Sequence, residues 1–337
     1  MMTVRRRTLF GSFGGAIIAV SSNVRAQPAQ VPVIGLLSTR SLRDSAYLVS
    51  AFEDGVYEAG FDASRRVKIE SRWANGHYDR LPALAADLVH RHVDILVALG
   101  GEPSVLAAKK AAARDAPRRF AMPFLFVVGN DPVEFGLVKS LARPDGDATG
   151  LAIYTLAIGP KRFEILHQVV PKGTKFGTLL NPNFPAAEFY RHELAEVARS
   201  LGQTMYFAEA GREDGLMPAF DALTKQGVGA LIVAPDPFFD MVGAQLVTMA
   251  AERRWPALYH HREYTVAGGL MSYGVNLGDV YRTMGTYAGK ILKGEAPADL
   301  PVQRLDKIEF VLNLRTARAL GLTIPPWTLA RADEVIE

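Results

Sequence analysis

The feature that most constrains the fold is a regular alternation of short apolar runs with longer helical segments. VPVIGLLS (31–38), DILVALG (94–100) and PFLFVVG (123–129) are nearly continuous runs of Val, Ile, Leu and Phe, a composition typical of strands buried on both faces. Stretches of helical periodicity such as YDRLPALAADLVHRH (78–92) separate these runs. Because strands joined by helical crossovers form parallel sheets, the pattern predicts an α/β protein with doubly wound parallel sheets.

The alternation occurs twice along the chain, which predicts two similar lobes. One series of strand and helix units fills 31–141, and a second begins after the turn RPDGDATG (143–150). Two Rossmann-like lobes of this kind enclose a ligand cleft at the carboxyl ends of their strands. The predicted ranges are 31–151 plus 274–300 for the N-terminal lobe and 152–273 plus 301–337 for the C-terminal lobe.

Residues 1–26 resemble a twin-arginine export signal. Arg6 and Arg7 open the pattern R-R-x-L-F, and the apolar stretch 10–20 that follows is shorter than the ~20 residues that span a bilayer. Val24-Arg25-Ala26 forms a small-x-small cleavage pattern. We expect cleavage before Gln27, by the twin-arginine or the general secretory route, and a mature protein in the periplasm without a membrane anchor.

Removal of the signal changes the charge of the chain. Four arginines and no acidic residue lie in 1–26, so Lys+Arg falls from 38 to 34 against 35 Asp+Glu, and the formal net charge falls from +3 to −1. The mature chain then has no basic surplus that would indicate a nucleic-acid partner. The sequence contains no cysteine, which excludes disulfides, thiolate metal sites and cysteine nucleophiles.

The candidate ligand-binding residues are polar and aromatic side chains close to the ends of predicted strands, since those ends border the predicted cleft. Each also has a structural interpretation, because Asn, Asp and Ser are common in turns and at helix starts and aromatic rings are common in cores. The candidates are Ser38, Thr39, Gly101, Ser104, Asn130, Asp131, Tyr154, Asn181, Asn183, Phe184, Asp236, Phe238, Tyr273 and Asn276.

The stretch GGEPSVLAAKK (100–110) illustrates both interpretations. It matches neither G-x-G-x-x-G nor G-x-x-x-x-G-K-[ST], and Pro103 lacks an N–H that a phosphate would use. Pro and Ser at this place are typical of a helix start. The alternative is that the Gly100–Ser104 turn binds a ligand carboxylate, while Asp236 and the Asn181–Phe184 loop bind the other end of the ligand from the second lobe.

The sequence offers no catalytic constellation. His260, His261 and Glu263 lack the H-E-x-x-H spacing, and adjacent residues on a strand point to opposite faces. No G-x-S-x-G motif occurs, and nothing in the sequence shows that Asp131 and Asp236 are neighbours. We therefore expect no enzyme activity, no cofactor and no metal site.

Several stretches resemble the ABC transporter substrate-binding proteins of the tryptophan-binding type. The most specific is VVGNDPVEFGLVKSLARPDGDATG (127–150), and LLNPNFP (179–185) and GGLMSYGVNLGDVYR (268–282) also match. The similarity extends from about Val31 to Glu337. It implies a type I periplasmic-binding-protein fold with three crossovers between the lobes, a small solute in the cleft and an ABC permease of the inner membrane as partner.

Two departures from that family concern the ligand. APDPFFD (234–240) replaces a more polar loop, and Asn276 stands where an acidic residue is usual. The resemblance thus leaves an amino acid and an aromatic or other organic acid as candidate solutes, captured by cleft closure and delivered to the permease. Two other classes stay open, namely a periplasmic ligand-sensing component that feeds a membrane receptor and an exported α/β enzyme.

Overall fold

The computed structural model describes residues 31–61, 66–114 and 122–337. The predicted export signal at 1–26 lies outside these residues. Within the described ranges, no helix is long and apolar enough to cross a membrane.

Thirteen strands lie in the described part of the chain. In chain order they are β1 (Val33–Ser38), β2 (Lys68–Trp73), β3 (Ile95–Leu99), β4 (Phe124–Val128), β5 (Ala148–Ala152), β6 (Lys175–Leu180), β7 (Met205–Glu209), β8 (Val228–Val233), β9 (Ala257–Tyr259), β10 (Met271–Val275), β11 (Gln303–Arg304), β12 (Ile308–Asn313) and β13 (Glu334–Ile336).

Twelve α-helices accompany them in the same ranges. They are α1 (Leu42–Glu58), α2 (Leu81–His90), α3 (Glu102–Arg114), α4 (Gly159–Val169), α5 (Ala187–Ser200), α6 (Leu216–Lys225), α7 (Pro237–Met241), α8 (Gly243–Glu252), α9 (Arg262–Val266), α10 (Leu277–Leu292), α11 (Leu314–Leu320) and α12 (Pro326–Leu329).

The strands form two sheets, which define the two lobes. The first sheet has the order β11-β5-β4-β3-β1-β2 and its pairs are parallel. The second has the order β13-β12-β10-β9-β8-β6-β7, in which only the β10–β12 pair is antiparallel. Strands such as β3 and β4 are buried along their whole length, as their continuous apolar composition predicts.

Strand pairing differs from the predicted lobe ranges at each of the three crossings of the chain. The first sheet includes Ala152 and the pair Gln303–Arg304, which the predicted ranges assign to the second lobe. Gly274 and Val275, assigned to the first lobe, pair with β12 in the second sheet. Hydrogen bonding to the neighbouring strand, which the sequence does not record, decides where each strand ends and so where each crossing falls.

Helix α10 returns the chain to the first lobe and packs on α1. A Cβ atom on Gly55 would lie 1.9 Å from the carbonyl oxygen of Arg282, and one on Gly285 would lie 2.0 Å from that of Phe52. The two backbones therefore approach more closely than any side chain at these positions allows. Around this contact the apolar faces of both helices, including Leu48 and Met284, are buried.

Candidate functional site

A cavity of about 70 Å³ lies between the lobes. Its walls include Gly100–Glu102 after β3, Gly129 after β4, Pro235–Pro237 after β8, and the pair His260–His261 after β9. These segments all follow the carboxyl ends of strands, two in each sheet. The cavity is therefore where ligands of open α/β sheets bind.

A buried ion pair crosses the cavity. Arg40, which follows β1, places Nη1 2.6 Å from Oδ2 of Asp240 on α7, and the two side chains are only 7% and 9% exposed. The hydroxyl of Tyr264 also donates to Asp240, at 3.1 Å. Burial alone would raise the pKa of Asp240, but His260 and the Arg40 guanidinium hold that pKa well below its usual range. Asp240 is thus ionised and shared between the lobes, and we call the arrangement with this contact closed.

The two adjacent histidines lie beside the same carboxylate. His260 Nε2 is 2.7 Å from Asp240 Oδ1, His261 Nε2 is 3.9 Å from Asp240 Oδ2, and the two ring centroids are 4.5 Å apart. The expectation that the rings point to opposite faces of a strand is wrong, because β9 ends at Tyr259 and the chain turns there toward α9. Burial lowers the pKa of His261 to about 3, so its imidazole is neutral at pH 7.

Asp236 makes a second polar contact between the lobes. It is 3% exposed and caps α7 by accepting the N–H of Phe238 at 2.9 Å. Asn181 Nδ2 donates to it at 2.9 Å, and the hydroxyl of Tyr78, from the first lobe, donates at 2.9 Å. Burial raises the pKa of Asp236 to about 7.

Glu102 is a cavity residue that the sequence interpretation missed. It is 1% exposed, begins α3 and accepts hydrogen bonds from the Gly129 N–H at 2.8 Å and from Asn130 Nδ2 at 3.1 Å. Burial raises the pKa of its carboxyl group. The sequence signal that could have identified Glu102 is its position directly after a buried strand and a Gly-Gly turn. That position places the carboxylate at a strand end that borders the cleft.

Ser104 does not line the cavity. Its hydroxyl lies 2.7 Å from the carbonyl oxygen of Leu99 and 2.8 Å from that of Gly101, so its only proton is directed at the backbone. Thr39 similarly donates to the carbonyl of Gly100, at 2.8 Å. This geometry favours the structural interpretation of Ser104, in which its hydroxyl fastens the turn between β3 and α3, over the expected role in binding a ligand carboxylate.

Three of the fourteen sequence candidates line the cavity: Gly101, Phe184 and Asp236. Others shape the loops around it, as Asn181 does when it bonds Asp236 and accepts the N–H of Asn183 at 2.9 Å. Ser38 accepts the N–H of Arg40 at 3.2 Å and Asn130 bonds Glu102, while Phe238 packs beside Phe239 with 5.5 Å between ring centroids.

The remaining candidates have structural partners away from the cavity. Asp131 accepts the N–H of Val133 at 2.8 Å, and the ring of Tyr154 lies 4.5 Å from the guanidinium of Arg304. Asn276 caps α10 by accepting the N–H of Asp279 at 3.3 Å. Tyr273 packs against Phe310, with 6.2 Å between ring centroids. Asp131 and Asp236 make no contact with each other, so they form no carboxylate pair among the described hydrogen bonds.

Comparison with known proteins assigns this architecture to a family. The family model described as ABC transporter substrate binding protein matches residues 30–336. The chain is 25% identical over 274 residues to the Tyrosine-binding protein of Clostridioides difficile (strain R20291), which covers 81% of this chain and 75% of that protein.

Solved structures show the same fold. An ABC domain in complex with L-Trp from Streptococcus pneumoniae has a TM-score of 0.78 at 22% identity, and covers 91% of this chain and 100% of that chain. A conserved domain protein from Vibrio cholerae O1 biovar eltor has a TM-score of 0.79 at 22% identity with the same coverage. These matches confirm the predicted type I periplasmic-binding-protein fold of two mostly parallel α/β sheets.

Proposed function

This chain belongs to the family of ABC transporter substrate binding proteins, and we propose that it captures a small solute carrying an amino group, of the amino acid class, in the cavity between its lobes. Membership in a family of binding proteins confirms the expectation that the chain is not an enzyme. The solute class and its delivery form the proposal.

The observation that supports this solute class is a pair of buried carboxyl groups on opposite lobes. Glu102 and Asp236 both line the cavity, one on the first lobe and one on the second. An ammonium group between them would donate charge-assisted hydrogen bonds to carboxyl oxygens on both sides. A solute that carries only a carboxylate would instead bring a further negative charge beside two carboxyl groups in a buried site.

Apolar side chains complete the cavity on the other sides. Phe184 comes from the second lobe, and Leu277 and Val280 come from the start of α10. Such a wall suits the apolar part of an amino acid. The Tyrosine-binding protein and the L-Trp complex among the relatives support the same class.

Binding and closure are coupled in this proposal. A solute held by Glu102 on one lobe and Asp236 on the other has its full set of contacts only in the closed arrangement. It therefore shifts the population of the protein toward closure by its differential affinity for that state.

We expect the mature protein to bind amino acids such as tyrosine or tryptophan in preference to the same molecules without the amino group. Glu102→Gln should weaken binding by about 10- to 100-fold, because a hydrogen bond to a charged group is worth about 1.5–3 kcal/mol. Titration calorimetry with the paired compounds measures both effects. Glu134→Gln, at an exposed surface carboxylate, is the matched control. Equal affinity for the deaminated compounds would refute the amine proposal.

The site of action is the periplasm, where the closed protein delivers its solute to an ABC permease of the inner membrane. The R-R-x-L-F pattern at Arg6 and Arg7 and the family support this part of the proposal.

Replacing Arg6 and Arg7 by lysine should therefore retain the protein in the cytoplasm, because the twin-arginine route reads that pair. Cell fractionation measures the retention. N-terminal sequencing should show that the exported wild-type protein begins at Gln27. Normal export of the double variant would point to the general secretory route instead.

A further inference from the structure

Three side chains of the second lobe converge on one point of the cavity wall: Asp240, His260 and His261. Each offers one ligand atom, and these atoms all lie within 4.8 Å of one another. We propose that they form a binding site for a divalent transition metal ion of the Zn²⁺ type, and that Arg40 competes with the metal for Asp240 when the lobes close.

The distances suit a metal with nitrogen and oxygen ligands. Ligands held at about 2.0–2.1 Å around a tetrahedral zinc ion are themselves about 3.3 Å apart. The separations from the two Asp240 oxygens, 2.7 Å from Oδ1 to His260 Nε2 and 3.9 Å from Oδ2 to His261 Nε2, lie on either side of that value. All three residues also line the cavity, so a fourth coordination position would face the cleft. Two imidazoles and a carboxylate are a ligand set that zinc accepts.

One imidazole of the candidate site also has an unsatisfied ring nitrogen. Nδ1 of His260 is buried and has no hydrogen-bond partner among the described residues. Buried polar atoms are rarely left in this state, and this one belongs to a residue of the candidate site.

In the closed arrangement the guanidinium of Arg40 supplies the positive charge beside Asp240 that a metal ion would otherwise supply. Its Nη1 lies 2.6 Å from Asp240 Oδ2, and its Nε donates to Ser45 at 3.2 Å, so the guanidinium is held from the first lobe. A metal ion on the same carboxylate would be repelled by this charge at short range. The three metal ligands all belong to the second lobe, so the set stays together when Arg40 withdraws. Metal binding therefore favours separated lobes, and the Arg40–Asp240 pair favours closure.

The test is a Zn²⁺ titration of the metal-free mature protein without any solute, so that its outcome does not depend on the proposed function. We expect one Zn²⁺ per chain at this site. Arg40→Gln should bind Zn²⁺ at least about tenfold more tightly, because the competing cation is gone. His260→Gln and His261→Gln should each bind it at least about tenfold more weakly, because one of three ligands is lost. Visible absorption of bound Co²⁺ reports the same site.

His192→Gln removes an exposed histidine on α5 and should leave the affinity for Zn²⁺ unchanged. Circular dichroism of each variant verifies that it is folded, because an unfolded chain can also bind Zn²⁺ through its histidines. Zinc binding that is unchanged in the His260→Gln, His261→Gln double variant would overturn the proposal. The absence of zinc binding in both the wild type and Arg40→Gln would also overturn it.

Discussion

Asp240→Asn should shift the free-energy difference between the closed and open arrangements of the solute-free protein by about 3–5 kcal/mol in favour of the open one. The reason is that removing one partner of a buried ion pair leaves the other charge uncompensated. The uncompensated group is Arg40, which is 7% exposed across the cavity. The predicted change corresponds to a factor of about 10²–10⁴ in the equilibrium between the two arrangements. The Arg40 side chain regains water only when the lobes separate, so opening is the route by which the protein relieves the cost.

Small-angle X-ray scattering measures this change as a larger radius of gyration. The Arg40→Met, Asp240→Asn double variant should recover part of the closed population, because it contains no unpaired charge. Tyr47→Phe is the matched control. This variant removes a 2.6 Å hydrogen bond from Tyr47 to Glu263, which also joins the two lobes. Because Tyr47 is 45% exposed, the closed arrangement should lose at most about 1 kcal/mol of stability. Identical scattering from Asp240→Asn and the wild type would contradict the prediction.

The second large effect concerns the pH dependence of stability at Asp236. Burial raises the pKa of Asp236 from 3.8 to about 7. Between these two pH values the folded protein keeps a proton that the unfolded chain releases. The contribution of this group to the free energy of unfolding is therefore fully present below pH 3.8 and is lost as pH rises through 7. Its size is about 4 kcal/mol, at 1.36 kcal/mol per pKa unit.

Urea denaturation of the mature protein from pH 4 to pH 8 measures this dependence. The free energy of unfolding of Asp236→Asn, measured relative to that of the wild type at each pH, should rise from pH 4 to about pH 7 and then level off, because asparagine does not titrate. Thr155→Val removes a hydroxyl from the same cavity without removing a titrating group, so its difference from the wild type should stay constant. A constant difference for Asp236→Asn as well would show that this carboxyl group does not carry the dependence.

The fold was predictable because its main signal is local. A run such as Ile95–Leu99 is apolar at every position, and every position is buried. The strand-end rule then identified some residues that line the cavity, including Gly101 and Asp236, because the carboxyl ends of parallel strands border the cleft. Ser104 shows the limit of that rule, since a hydroxyl near a strand end can bond the backbone instead of facing the cavity.

The missed site residues depend on contacts that no local pattern records. Arg40 and Asp240 are 200 residues apart in the chain, and no local pattern indicates that they meet. His260 and His261 were assigned to a strand, where their rings would diverge, yet the strand ends one residue earlier. The side chains that meet across the cavity follow from tertiary structure, whereas the elements that carry them follow from sequence.

The packing of α10 on α1 has a consequence for how the protein is made. α1 ends at Glu58 and α10 begins at Leu277, so a ribosome that adds about 5–20 residues per second needs roughly 10–40 s to deliver the partner of α1. During that interval Leu48, Phe52 and Val56, which α10 covers in the finished protein, lack their native partner. Neither lobe can be completed early, because the first sheet takes its last strand from β11 and the second takes its last strands from β12 and β13. We therefore expect a nascent chain of this protein to be prone to aggregation until α10 has emerged from the ribosome.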